Sequence, residues 1–145
     1  MENDNYSEEN KPANVIGAFM LGLLAASVVA VTLSWPLGFI MLGFHEDDAS
    51  VKDPIFFSLV GCWTFATAFT FGRVSSKVAN RNEWSLLVTI FVVCCLLVIP
   101  VLIEDSFHSY SVTLSAVFIF SAASGLFVGH KIAMHKKRKA IQAEN

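Results

Sequence analysis

The chain has 145 residues, 54% hydrophobic and only 15% charged, with a formal net charge of −2 and a mean hydropathy of +0.59. Soluble domains carry about 25% charged residues, so this composition lacks the polar side chains that a water-exposed globule of several helices would need. The near-neutral balance also excludes a broadly basic nucleic-acid-binding surface, and the run "HKKRK" at 135–139 is read instead as a topology and anionic-lipid signal.

Residues 1–13 form a polar tail in which Glu2, Asp4, Glu8 and Glu9 outnumber Lys11. A basic n-region is missing and the apolar run that follows is longer than a signal-peptide core, so the first helix is expected to be retained. Four stretches contain no Asp, Glu, Lys or Arg: 12–44, 54–72, 84–103 and 109–129, of 33, 19, 20 and 21 residues. A helix needs roughly 20 such residues to cross a hydrocarbon core of about 30 Å. The expectation is an all-α integral membrane protein with four transmembrane helices, about 14–42, 54–72, 84–103 and 111–131, arranged as two hairpins in a compact bundle. The membrane domain is then 14–134 and a basic tail occupies 135–145. The runs lack the polar–apolar alternation of barrel strands.

The first helix carries Gly17, Gly22, Ala25, Ala26 and Ser27, small residues that admit a close neighbour. Trp35 suits an interface, and Pro36 predicts a kink or break near Ser34 and Trp35. After the acidic loop "HEDDASVKD", Asp53-Pro54 resembles a helix start with proline in first position. The second helix is followed by "GRVSSKVANRNE", which is read as a connector able to continue it as an amphipathic stub. Trp84 marks the inner interface of the third helix, and Pro100 sits near its other end. The segment "EDSFHSYS" leads to the fourth helix, with Ser115, Ser121, Ser124 and Gly125.

Nine of the ten Lys and Arg residues fall on the face that holds the termini, and Lys52 alone on the other. The positive-inside bias therefore places both termini in the cytoplasm of a cell (inner or plasma) membrane. A shift of 57 positions matches Ser58 with Ser115, Val60 with Val117, Ala66 with Ala123 and Gly72 with Gly129. Duplicated hairpins and two unrelated hairpins under the same bilayer constraints both explain that match.

The spans hold no ionisable Asp, Glu, Lys or Arg, which argues against a proton-coupled pump. All four histidines lie away from the span centres, which argues against a membrane haem, and no cofactor is expected. Thr64, Thr67, Ser121 and Ser124 are read as packing residues whose hydroxyls return to their own helices, the alternative being a small-molecule path. Cys62, Cys94 and Cys95 are read as packing cysteines, since no CxxC spacing supports a metal. If the hairpins lie side by side, His45, Asp47, Asp48, Glu104, Asp105 and His108 would share the external face and form a candidate site for a divalent cation. No GxGxxG, Walker-type loop, HExxH or nucleophile motif is present. The functional expectation is a non-enzymatic multi-pass membrane protein, an accessory or self-associating component of a membrane complex. Its expected partners are membrane lipids and either further copies of itself or a membrane protein. The alternatives are a small oligomeric transporter or channel, and an external divalent-metal-binding membrane protein.

Overall fold

A computed structural model describes residues 15–42, 49–79, 83–104 and 109–144. Within them the chain is all-helical, with four helices: α1 (Val15–Leu42), α2 (Ala49–Val78), α3 (Glu83–Glu104) and α4 (Ser109–Glu144). Three contain segments long and apolar enough to cross a membrane, Val15–Ile40, Pro54–Val78 and Ser109–Lys136. The apolar segment of α3, Trp84–Pro100, is shorter. At about 1.5 Å per residue, the 28, 30, 22 and 36 residues of the four helices correspond to lengths of about 42, 45, 33 and 54 Å.

α1 and α3 end close to where their charge-free runs end, whereas α2 and α4 continue past theirs. Charge stops a bilayer span but not a helix. Arg73 and Lys77, then Lys131, Met134, Lys136 and Lys139, are all good helix formers, and no proline interrupts either extension. Two proline expectations are corrected. α1 stays helical through Pro36, so of the expected kink or break the break does not occur, and α2 begins at Ala49, so Pro54 lies inside the helix and not at its first position. A proline removes one backbone donor, a local loss that leaves the neighbouring turns of a long helix bonded.

Hydroxyl groups along the helices are satisfied internally. Ser27, Thr32, Ser34, Ser58, Thr67, Thr70, Thr89, Thr113 and Ser124 each donate to the carbonyl four residues earlier at 2.6–2.9 Å. Such groups need nothing from water. Thr64 differs: it is buried, and its Oγ1 has no hydrogen-bond partner.

The most extensive interface joins α2 and α4, followed by α1 with α2, while α3 packs mainly on α4. α1 runs opposite to α2: Gly22 faces Phe71 and Ser75, and further along α1 the Ala30 carbonyl accepts a 3.0 Å hydrogen bond from Trp63 Nε1. α2 and α4 run parallel, with Gly61 beside Val117 and Ser121, and Gly72 beside Leu126. Their approach is set by glycine. A Cβ at Gly72 would lie 2.7 Å from the Leu126 carbonyl oxygen, and one at Gly125 would lie 2.5 Å from that of Phe65. Gly129 meets the Phe69 carbonyl more closely still. The 57-residue shift acquires a physical meaning here: it carries Phe69 to Leu126 and Gly72 to Gly129, so the contacts Gly72–Leu126 and Gly129–Phe69 are reciprocal.

The core sits towards one end of the bundle. Ala26, Phe71, Leu87 and Leu126, one from each helix, are buried together, and Ala18, Ala79 and Leu86 form a second cluster nearer the start of α1. At the opposite end Tyr110 of α4 packs on Phe56 and Phe57 of α2, with ring centroids 6.4 and 5.1 Å apart. From Val31 to Ile40, by contrast, α1 is exposed on almost every side.

Candidate functional site

Below the core, where the charge-free stretches give way to basic residues, α2, α3 and α4 bring polar side chains together. Gly72 and Gly129 hold α2 and α4 so close that Ser76 and His130 meet across the interface, Oγ to Nδ1, at 3.0 Å. Both are almost wholly buried, at 1% and 4% exposure. By tautomer, either the serine hydroxyl donates to Nδ1 or Nδ1–H donates to the hydroxyl. The neighbouring Ser75, also buried, donates to the Phe71 carbonyl at 2.7 Å, within its own helix.

Trp84, in the first turn of α3, covers the other side of the histidine. Its ring lies 4.7 Å from that of His130 in an edge-on arrangement and 6.3 Å from that of Phe127. Residues 127, 130, 131, 134 and 135 share one face of α4 because they follow helical spacing. Between that face and Trp84 lies a cavity of about 390 Å³ lined by Trp84, His130, Lys131, Met134 and His135. Lys131 does not extend away from the bundle: its Nζ lies 5.3 Å from the centre of the Phe127 ring, one turn back towards the core. That position combines a cation–π contact with a cation held beside the cavity.

The imidazole and ammonium groups that line the cavity suit recognition of an anion. Removing the Ser76 hydroxyl deletes a buried hydrogen bond between two helices, which costs about 0.5–1.5 kcal/mol. Ser76→Ala is accordingly expected to lower the unfolding midpoint in detergent. Ser75→Ala, which deletes only a bond within its own helix, should lower it much less. Equal effects would mean that the Ser76–His130 bond holds nothing.

Sequence reasoning treated His130 as one of several basic-end residues and did not pair it with Ser76. Part of the signal was available: Ala68-x3-Gly72 and Gly125-x3-Gly129 are small-residue pairs related by the same 57-residue shift, and once α2 and α4 are seen to pack together they fix the register that opposes positions 76 and 130. Of the residues expected to bind a divalent cation, His45, Asp47, Asp48, Asp105 and His108 lie outside the described residues, and Glu104 is described only as the last residue of α3. Among the described residues no group of three or more His, Cys, Asp or Glu is assembled. Cys62 is exposed on the helix surface, and Cys94 and Cys95 are half-buried. No protein-family profile, characterised protein or solved structure matches this chain significantly.

Proposed function

We propose that the chain is an integral membrane protein whose four helices cross the bilayer as two hairpins, α1–α2 and α3–α4, with both termini in the cytoplasm. On this reading it acts without catalysis, as a component that associates with further copies of itself or with another membrane protein. The three long apolar segments, the exposed aliphatic side chains of α1 and α3, and the internally satisfied hydroxyls support placement in lipid. The nine-to-one division of Lys and Arg supports the orientation.

The observation that carries association is the free face of α1. Ser27, Val31, Ser34 and Gly38 recur at helical spacing, all are exposed, and a Cβ at Gly38 would meet nothing within 4 Å. Apolar surface drives no association in lipid, so small and hydroxyl-bearing faces are where helices meet, through close packing and hydrogen bonds. Purified in mild detergent, the chain is expected to show a mass above that of one copy, or to carry a partner. The double variant Ser34→Leu with Gly38→Leu should shift the mass to one copy while leaving the helical content unchanged. A strictly monomeric chain without a co-purifying partner would contradict the proposal.

A further inference from the structure

We infer that the groove between α3 and α4 is a binding site for one anionic phospholipid, its phosphate held by Lys131 and His135 and its acyl chain laid along α3. The inference rests on the membrane reading above and adds a ligand to it.

Two adjoining cavities carry it, one with basic side chains among its lining and one lined by apolar side chains alone. The polar one, about 390 Å³, opens beside Trp84, His130, Lys131 and His135. The second, about 280 Å³, runs from Trp84 towards the middle of the bundle and is lined by apolar side chains, among them Leu87, Phe91, Ala123 and Leu126. Trp84 is common to both, and Phe127, in the wall of the apolar cavity, carries the Lys131 ammonium over its ring. A ligand that follows this path must change from anionic to aliphatic at the level of Trp84. That is the level at which the charge-free run of α3 begins, after Glu83, and that of α4 gives way to Lys131, and where indole rings sit at a membrane surface.

A phospholipid has that sequence of chemistry and depth. Lys131 and His135 are one turn apart on the same face and supply N–H donors to phosphate oxygens, Lys131 with a fixed positive charge. The Ser76–His130 bond and the edge of Trp84 fix the floor of the polar cavity. The looser packing of α3, which contacts α4 far less than α2 does, leaves the apolar cavity open. A soluble phosphate would use the polar cavity alone.

The test uses the full chain in mild detergent, titrated with phosphatidylglycerol or with phosphatidylcholine of the same acyl chains, the bound lipid being counted by native mass spectrometry. One phosphatidylglycerol is expected to bind in preference to phosphatidylcholine. Charge-assisted hydrogen bonds of this kind carry affinity of about tenfold or more, so Lys131→Gln with His135→Gln should weaken binding by about that factor. Lys139→Gln, on the same helix but outside the cavity, should leave it unchanged. Glycerol phosphate, the headgroup without its chains, should compete only weakly. Equal binding of the two lipids would overturn the inference, as would an equal loss in Lys139→Gln. Full competition by glycerol phosphate would overturn the lipid assignment, leaving a phosphate site. An alkaline wash of cell membranes separates this from the parent reading. A chain released by the wash is not an integral membrane protein, whereas one that stays and shows no lipid preference refutes the lipid site alone.

Discussion

Replacing Gly125 with alanine is expected to force α2 and α4 apart. The added methyl would lie 2.5 Å from the Phe65 carbonyl oxygen and 3.0 Å from the Phe69 nitrogen, and neither atom belongs to a side chain that can rotate away. Overpacking costs about 1–3 kcal/mol where side chains can adjust, and this contact is backbone to backbone, so the upper end or more is expected. Gly129→Ala should behave alike, since its methyl would meet the Phe69 carbonyl and the Arg73 nitrogen. The informative contrast is Gly38→Ala, on the free part of α1. Within one copy nothing lies within 4 Å of its Cβ, and glycine in a helix costs about 0.5–1 kcal/mol relative to alanine, so that variant should leave the unfolding of the single-copy bundle unchanged or slightly harder, its effect on association being read separately by mass. Unfolding each protein with SDS in mixed micelles gives the comparison. If all three midpoints coincide, the α2–α4 contact does not hold the bundle together.

The helices themselves were largely legible in the sequence, because the absence of charge over about twenty residues is a strong constraint. α1 and α3 start and stop within a residue of the expected spans 14–42 and 84–103. α2 and α4 did not, since a backbone remains helical through Lys and Arg while a bilayer span ends there. Packing was less legible. The sequence supplied two sequential hairpins as the natural neighbours, yet the widest interface, α2 with α4, joins helices whose glycines are 57 positions apart. Small residues announce that a close neighbour exists without saying which helix it is. The match of Gly72 with Gly129 identified the partner only once the reciprocal contacts with Leu126 and Phe69 were seen. The Ser76–His130 pair depends on that register and could not be found from composition or charge.

The structure also changes how the proposed membrane topology should be probed. Ser76 looks like a connector residue by sequence, but it is 1% exposed and bonded to His130, so a thiol placed there would be shielded whichever side it occupied. Lys77, exposed on the next position, is the better reporter for that face, with Gln142 near the end of α4 and Ser109 at its start, both exposed. The critical element is α3. Its apolar segment Trp84–Pro100 spans 17 residues, or about 25 Å at helical rise, against about 30 Å of hydrocarbon. The whole of α3, with 22 residues, reaches about 33 Å and crosses only if its ends extend to the headgroups.

The measurement that bears most directly on four crossings is labelling of single cysteines by an impermeant thiol reagent in intact and opened cells, with Cys62, Cys94 and Cys95 replaced. If all four helices cross, Ser109→Cys reacts in intact cells, whereas Lys77→Cys and Gln142→Cys react only after the membrane is opened. Reaction of Gln142→Cys in intact cells, with Ser109→Cys and Lys77→Cys both protected until opening, would show that α3 fails to cross and would contradict the four-helix topology.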